Sequence, residues 1–250
     1  MIPHIEFADT VVHYGEKKAL DGVSLSIPEN CIFSIVGPAN SGKTTLLKCI
    51  NRTLDFIPSA HIKGKVAING KDGRHHKNVY DLRRRIGMVF PLPVGLPLSV
   101  YDNVAYAPRR MGIRRKVQLD DIVERCLRQS VLWDEVKDRL DLLGTQLSGG
   151  QQQRLTLARA LSLSPEILCL DEFSIAIDPV TTMKIEEVLV ELKKKMTIVL
   201  VTNLTQQARR IGDYTCFLNS SHLVETGPTE RLFTAPQFPI TGEFLHGAFG

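Results

Sequence analysis

The chain contains three short apolar runs, and each is flanked by polar or turn residues. They cover residues 31–36, 167–170 and 197–201. Continuous apolar runs of this length are typical of strands buried on both faces, as in a parallel sheet covered by helices. Between the runs, residues 120–129 and 180–194 each place an apolar stripe on one helical face, the first after an acidic start at Asp120. The pattern predicts a parallel α/β core.

The N-terminal third has a different pattern. Segments 4–12, 23–27 and 62–69 are short and β-branched, and Gly, Pro, Asn and Asp separate them. This predicts an antiparallel sheet beside the parallel core. Residues 91–98 hold three prolines in eight positions, which excludes regular helix and central strand. We interpret them as an ordered or hinged linker into a mostly helical stretch over about 99–163.

Length and composition narrow the class of protein. The 250 residues, 43% hydrophobic and 23% charged, suit one sizeable domain. No apolar run approaches the roughly 20 residues that span a bilayer, and residues 1–6 lack the features of a signal peptide. We therefore expect any membrane role to go through a partner. Five scattered cysteines without a C-x-x-C pair favour a reducing cytoplasm, with four of them in the core.

The charge balance gives no indication of a nucleic-acid partner, and we expect none. The net charge of +4, from 31 basic and 27 acidic residues, is too small alone to indicate nucleic-acid binding. The basic runs 83–85 and 114–116 are interpreted as solvated faces. His75 and His76 lie in a polar stretch without ligand-spaced partners, so we expect them at the surface.

A glycine-rich motif follows the first apolar run and precedes an apolar helical pattern. It matches G-x-x-x-x-G-K-[ST] in the context that a phosphate-binding loop requires. The candidate binding residues are Gly37, Pro38, Ala39, Asn40, Ser41, Gly42, Lys43, Thr44 and the adjoining Thr45. In such a loop backbone N–H groups and the helix N-terminus hold phosphates, Lys43 reaches the β- and γ-phosphates, and the Thr44 hydroxyl ligates Mg²⁺. The alternative is a glycine-rich turn that matches by chance.

The second apolar run ends in two carboxylates, Asp171 and Glu172. Open α/β sheets bind ligands at the carboxyl ends of their strands. Asp171 would hold Mg²⁺, directly or through water, and Glu172 would polarise the attacking water, so that Glu172 and Lys43 are the first catalytic candidates. An apolar run ending in Asp-Glu carries no weight alone. Together with the loop at 37–44 it predicts a magnesium–nucleotide site.

A third motif lies between these two and decides the family. Residues 147–154 read Leu-Ser-Gly-Gly-Gln-Gln-Gln-Arg and open a helical pattern. They resemble the signature of ABC ATPases, in which Ser148, Gly149, Gly150 and Gln151 form an anion-binding helix start. The resemblance implies that this element faces the γ-phosphate held by an opposite subunit, so that two subunits enclose two ATP molecules head to tail. The alternative is an ordinary Ser-Gly helix cap.

The resemblance covers essentially the whole chain. It is greatest to the ATPases of bacterial phosphate importers (PstB-like), on residues 19–25, 82–90, 101–106 and 132–140. The implied fold is a P-loop NTPase core with an ABC-type antiparallel β subdomain and an inserted helical subdomain. The whole chain would be one nucleotide-binding domain, with a core of about 1–90 and 164–250 and a helical subdomain of about 91–163.

The same resemblance implies ligands and partners. ATP and Mg²⁺ are the implied cofactors, Asp178 is retained from the family's pattern, and Tyr14 is the aromatic that stacks on adenine. A core aromatic on an edge strand is the other interpretation of Tyr14. The implied partners are a second copy or related ATPase, transmembrane permease subunits and, indirectly, a periplasmic or extracellular solute-binding protein. The implied location is peripheral, on the cytoplasmic face of the inner membrane.

Three positions depart from that family. Pro91 stands where the family has a glutamine that contacts Mg²⁺ and water, and proline has no side-chain oxygen. Asn203 follows Thr202 where the family has histidine; it can still donate to a γ-phosphate oxygen, so it stays a catalytic candidate, but it cannot shuttle a proton. Residues 173–177 read Phe-Ser-Ile-Ala-Ile instead of Pro-Thr-Ser-Ala-Leu. These changes predict that ATP binding and pairing survive while hydrolysis is slow.

Two functions remain open from the sequence. The favoured one is an ATP-hydrolysing subunit that energises a membrane importer, with phosphate as the cargo implied by resemblance. The alternative is a regulatory or degenerate ABC subunit that binds ATP and pairs with an active ATPase. DNA-repair and chromosome-structure ABC ATPases are disfavoured, because no sustained heptads separate the motifs.

Overall fold

A computed structural model describes residues 3–75 and 78–247. The strands are β1 (Ile5–Tyr14), β2 (Lys17–Ile27), β3 (Ile32–Val36), β4 (Ala60–Ile68), β5 (Lys71–Asp72), β6 (Ile86–Val89), β7 (Ile167–Asp171), β8 (Thr197–Val201), β9 (Tyr214–Asn219) and β10 (His222–Pro228). The helices are α1 (Lys43–Ile50), α2 (Val79–Arg84), α3 (Val100–Arg110), α4 (Lys116–Gln129), α5 (Trp133–Val136), α6 (Gly149–Leu161), α7 (Pro179–Leu192), α8 (Thr205–Ile211), α9 (Thr229–Thr234) and α10 (Pro239–Leu245).

The larger sheet has the order β10-β9-β3-β8-β7-β6. Strands β9, β3, β8, β7 and β6 are parallel, and β10 is antiparallel to β9. Every residue of β3, β7 and β8 is buried, as their continuous apolar runs predict. Because parallel strands end at the same edge, the segments after β3, β7 and β8 converge there.

The smaller sheet is antiparallel, with the order β2-β1-β4-β5. It confirms the antiparallel sheet predicted from segments 4–12, 23–27 and 62–69. Helix α1 packs between the two sheets: Leu46 and Leu47 are fully buried in one apolar cluster with Phe33 of β3 and Val12 of β1. The start of α1 is therefore fixed by both sheets.

Between β6 and β7 the chain is mostly helical. Helix α4 begins at Lys116, four residues before the acidic start proposed at Asp120, and its first turn holds neither an acidic residue nor a capping side chain. The polar start signal that would mark this end is therefore missing from the sequence. Residues 91–98 form no helix or strand, as their prolines predict. Contacts order them instead, since Gly95 N–H donates to Gln152 Oε1 at 3.1 Å.

Three strands of the large sheet have no counterpart in the sequence interpretation: β6, β9 and β10. Strand β6 has four residues, which is short for a pattern to stand out. The β9–β10 turn uses Ser220 and Ser221, both with positive φ (48° and 70°). Two-residue hairpin turns of this kind usually carry Asn-Gly, so the expected turn signal is absent.

The structure shows which of the cysteines, basic residues and histidines are buried or held by contacts and which are exposed. All five cysteines are buried free thiols, one more than the four expected in the core. In the run 83–85, Arg83 donates to the Asn51 and Arg52 carbonyls, whereas Arg85 pairs with Glu166. Residues 114–116 are exposed, and so is His75, as expected. His76 lies outside the described residues.

Candidate functional site

The phosphate-loop motif lies between β3 and α1, where the sequence predicts it. Two of its glycines are required by the backbone. Gly37 has φ 154°, and a Cβ there would lie 2.1 Å from the Leu218 carbonyl oxygen; Gly42 has φ 107°, and its Cβ would lie 2.5 Å from the Ala19 carbonyl oxygen. Any other residue would push the loop away from β2 and β9. The loop and the N-terminus of α1 therefore lie where backbone N–H groups can meet an anion.

Lys43 is the first residue of α1 and is 6% exposed. Its Nζ donates to the carbonyl oxygens of Gly37 at 2.7 Å and Pro38 at 2.8 Å. Burial lowers the pKa of Lys43, while the Glu172 and Asp171 carboxylates oppose that change. The ammonium is thus close to both carboxylates at the end of β7, and it is a cation that a phosphate can neutralise.

Asp171 ends β7 and is 1% exposed. Neither carboxylate oxygen has a donor within 3.5 Å among the described residues, although the Thr44 hydroxyl is near enough to interact with the carboxylate. Burial raises the pKa of Asp171, the Thr44 hydroxyl and the Lys43 charge lower it, and Glu172 adds to the increase. A buried carboxylate whose oxygens have no described donor within 3.5 Å, with a threonine hydroxyl nearby, fits a divalent cation, because Mg²⁺ takes oxygen ligands and usually one or two carboxylates.

Glu172 follows directly, in a left-handed backbone conformation with φ 46°. Its N–H donates to the carbonyl of Val201 at 2.9 Å, which joins the end of β7 to the end of β8. The Asn203 amide Nδ2 donates to Glu172 Oε1 at 2.6 Å. Asn203 thus lies in the site, and its amide is directed at the carboxylate.

Lys43, Thr44, Glu172 and Asn203 line one cavity of about 290 Å³, whereas the predicted site residues Gly37, Pro38 and Asp171 are not among its lining residues. Its lining includes Tyr14, Ala39, Asn40, Ser41, Gly42, Lys43, Thr44, Thr45, Glu172 and Asn203, all candidates from the sequence. Tyr14 is partly buried, and its hydroxyl lies 3.3 Å from the Thr45 hydroxyl. The cavity thereby brings together residues from β1, the loop, α1 and the segments after β7 and β8.

The signature residues lie elsewhere. Ser148 caps α6: its hydroxyl accepts from Gln151 N–H at 3.4 Å, and Gln151 Oε1 accepts from Ser148 N–H at 3.0 Å. Ser148 and Gly149 are exposed, and Gly150 is half-buried. None of them is among the described residues that line the cavity. The same chain therefore does not bring its signature to its own phosphate loop.

Asp178 has a local structural role. It is exposed and caps α7, accepting from Thr181 N–H at 2.9 Å. That hydrogen bond lowers the pKa of Asp178. It does not line the cavity either.

A protein-family model described as ABC transporter matches residues 20–174, which is more than half of the chain. The chain belongs to the ABC transporter family. The matched region contains the phosphate loop, the signature, Asp171 and Glu172.

The solved structures that resemble this ABC chain include the following two. The ATP-binding cassette MJ0796, a dimer in a post-hydrolysis state bound to ADP and Pi, has a TM-score of 0.77 and 28% identity, over 90% of this chain and 98% of that one. A bacterial Atm1-family ABC exporter with ATP bound has a TM-score of 0.83 and 23% identity, over 99% of this chain. This chain spans 42% of that exporter's length. The fold is that of an ABC ATP-binding domain.

Sequence reasoning missed two kinds of contact in this ABC domain. Lys17 and Ala19 of β2 line the cavity, although Ala19 entered the sequence analysis only through family resemblance. The Asn203–Glu172 hydrogen bond joins residues far apart in sequence, and no local pattern marks it.

Among the described helices, none has the length and hydropathy needed to cross a bilayer.

Proposed function

We propose that this chain is the ATP-binding and ATP-hydrolysing subunit of a membrane ABC transporter. The observation that carries the proposal is the buried Asp171 carboxylate, which interacts with the hydroxyl of Thr44, a residue of the cavity that the phosphate loop lines. Asp171 and Thr44 would hold Mg²⁺, which neutralises charge on the phosphates when bound.

The other residues of the cavity have distinct roles in this proposal. Lys43 and the loop N–H groups bind and orient the phosphates of ATP. Glu172 accepts a proton from the attacking water, since Asn203 occupies one carboxylate oxygen and leaves the other available. Tyr14 stacks on the adenine, its hydroxyl held by Thr45.

The site is completed by a second subunit. Ser148, Gly149, Gly150 and Gln151 are outside the cavity of their own chain, and the first two are exposed. Head-to-tail pairing with a second copy or a related ATPase would present them, together with Asp178, to the nucleotide of the facing chain. The MJ0796 structure, a dimer bound to ADP and Pi, supports the pairing of two such chains.

The same proposal gives the chain a membrane partner. Residues 1–250 act as one nucleotide-binding domain, with a core of about 1–90 and 164–250 and a helical subdomain of about 91–163. Transmembrane permease subunits dock near residues 91–106, where Leu92, Val94 and Tyr106 are exposed apolar side chains. The chain is then peripheral on the cytoplasmic face of the inner membrane, and a solute-binding protein acts indirectly. Import, and phosphate as the cargo, rest on the sequence resemblance to phosphate importer ATPases.

Hydrolysis is slow in this proposal. Pro91 cannot make the side-chain contact of the family's glutamine, and Asn203 lacks the imidazole. Losing one preorganised contact to developing charge typically costs about 3–4 kcal/mol of barrier, which is a factor of about 10² to 10³ in rate.

Steady-state phosphate release by the purified protein tests this function. We expect saturable, magnesium-dependent release that is slow, and an increase of about tenfold or more in the double variant Pro91→Gln/Asn203→His. Gln206→His, at an exposed position of α8, is the matched control and should leave the rate unchanged. Wild-type turnover comparable to ordinary ABC ATPases would contradict slow hydrolysis. Absence of release in both wild type and double variant would favour the second function.

That second function is a regulatory or heterodimer subunit, which binds ATP and lends its signature to an active partner. The specific observation in its favour is that the changes at Pro91 and Asn203 spare the signature. Co-purification from the native source separates the two functions. Permease subunits without a second ATPase favour the first, and an ATPase of different sequence favours the second.

A further inference from the structure

The first turn of the signature helix is held by a residue outside the signature. Glu135, in the short helix α5, accepts from Gln151 Nε2 at 2.8 Å. The other end of the same Gln151 amide, Oε1, accepts from Ser148 N–H at 3.0 Å. The Gln151 side chain is therefore a bridge between Glu135 and the residue that caps α6.

Glu135 is itself fixed by a buried cation. Arg154, whose side chain is 7% exposed, donates to Glu135 Oε1 at 2.6 Å and to Oε2 at 3.1 Å. Arg154 also donates to the carbonyl of Val131 at 2.7 Å, at the turn between α4 and α5, where Val131 has φ 56°. Arg154 is first among the causes that lower the pKa of Glu135, so the carboxylate stays charged.

A charged carboxylate decides which way the Gln151 amide points. A carboxylate accepts hydrogen bonds and donates none, so the amide must turn its Nε2 toward Glu135. Oε1 is then left facing Ser148 N–H, which would otherwise be an unsatisfied donor at the helix start. Without the charge on Glu135, either end of the amide could face position 135. The hydrogen bond from Ser148 N–H to Gln151 Oε1 would then lose its fixed orientation.

We propose that Glu135 is a positioning residue for the signature: it orients the Gln151 amide, and so presets the Ser148 hydroxyl and the Gly149 and Gly150 N–H groups for the nucleotide of the facing subunit. This inference rests on the proposed head-to-tail pairing. Glu135 touches no nucleotide in this proposal. Its effect appears where two chains share ATP, and is absent where one chain binds ATP by its own loop.

Glu135→Gln tests the proposal because it keeps the shape and removes the charge. The parent is the Glu172→Gln protein, in which hydrolysis is blocked so that an ATP-bound pair can accumulate. Three quantities are measured for parent and variants: ATP-dependent dimerisation by sedimentation, ATP affinity of the dilute monomer, and Tm. Asp134→Asn is the matched control, because Asp134 is adjacent, 83% exposed and paired only at 3.6 Å with Lys137 among the described residues.

We expect Glu135→Gln to weaken ATP-dependent dimerisation about tenfold, as losing one hydrogen bond to a charged group would. Monomer affinity should change less than twofold, and Asp134→Asn should match the parent. Gln151→Met, which keeps the Glu135–Arg154 pair, should reproduce the dimerisation loss with a Tm no lower than that of Glu135→Gln.

The alternative outcomes are distinct. Dimerisation of Glu135→Gln at the parent's affinity overturns the positioning role. Equal losses in dimerisation, monomer affinity and Tm, with Gln151→Met like the parent, overturn it in favour of a purely structural ion pair. A parent that binds ATP but never dimerises overturns the head-to-tail function itself, and the positioning role with it.

Discussion

The two carboxylates at the end of β7, Asp171 and Glu172, are adjacent in sequence and differ in surroundings. Asp171 is buried with no donor within 3.5 Å of its oxygens among the described residues, and burial raises the pKa of its carboxyl group. Glu172 is half-buried and holds the Asn203 amide. Neighbouring acids in contrasting environments commonly divide their roles. Here the buried one suits a cation and the accessible one suits a water molecule.

The buried histidine His4 predicts that the stability of the fold depends on pH. His4 is 5% exposed, and its Nδ1 lies 2.7 Å from the Thr197 hydroxyl. Burial lowers the pKa of His4, and the carboxylates of Glu29 and Glu166 only partly oppose it. The unfolded chain therefore binds the proton more readily than the folded one. Its contribution to stability is complete above the ordinary value of about 6.5 and is lost as pH falls through the folded pKa.

We accordingly expect the free energy of unfolding to fall between pH 7.5 and pH 5, and to fall less steeply in His4→Asn. Denaturant unfolding at several pH values measures this. His61→Asn, at an exposed position of β4, should keep the wild-type slope. An identical pH dependence in His4→Asn and wild type would show that another group is responsible.

At the scale of elements, a buried ion pair joins the helices that follow the two catalytic strand ends. Glu186 of α7 has a side chain that is 5% exposed, and it accepts from Arg210 Nε at 2.9 Å and Nη2 at 2.7 Å. Gln207 of α8 donates to it at 3.0 Å. Since α7 begins at Pro179, in the segment that follows Glu172, and α8 begins at Thr205, two residues after Asn203, this pair fixes the relative position of the two helices.

We expect Arg210→Met to lower the free energy of unfolding by about 2 kcal/mol. Breaking a fully buried pair costs roughly 3–5 kcal/mol, but Arg210 is about half-exposed and Gln207 remains as a donor. The double variant Glu186→Met/Arg210→Met should recover most of the loss, because no buried charge is then unpaired. Urea unfolding measures both. If the double variant is less stable than the single one, the loss comes from packing and the explanation through charge is wrong.

The elements that the sequence predicts well are those whose signal is local. Continuous burial identifies β3, β7 and β8, and helical period identifies α7. Strand β6 is too short, and the β9–β10 turn uses two serines where Asn-Gly would be informative. The sequence pattern places the start of α4 too late because no capping side chain marks the true start.

The residues of the candidate site likewise divide into those with a local sequence signal and those placed only by the tertiary fold. The loop at 37–44 was predictable because the chemistry needs fixed residue types at fixed spacing. The contacts of Asn203 with Glu172 and of Glu135 with Gln151 were not, because they join segments through the tertiary fold. Tyr14 shows the mixed case: family resemblance nominates it, and its place in the cavity depends on how β1 packs against α1.

At the scale of the whole molecule, the large sheet determines which segments of the chain lie close together. The loop after β3, the acids at the end of β7 and the asparagine after β8 lie at one edge, because those strands are parallel neighbours. The signature, at the start of α6, does not line that cavity. One chain therefore provides the phosphate loop and both carboxylates, and in our proposal a facing chain provides the signature.

In our proposal Asp171 and the loop at 37–44 together hold one magnesium–nucleoside triphosphate, and ATP titrations with and without Mg²⁺ measure this. We predict that Mg²⁺ tightens ATP binding by the wild-type chain, and that Asp171→Asn loses about tenfold or more of that gain while still binding ATP. Asp141→Asn, at an exposed position, should behave as wild type. No ATP affinity in the presence of Mg²⁺, or an undiminished magnesium effect in Asp171→Asn, would contradict the account.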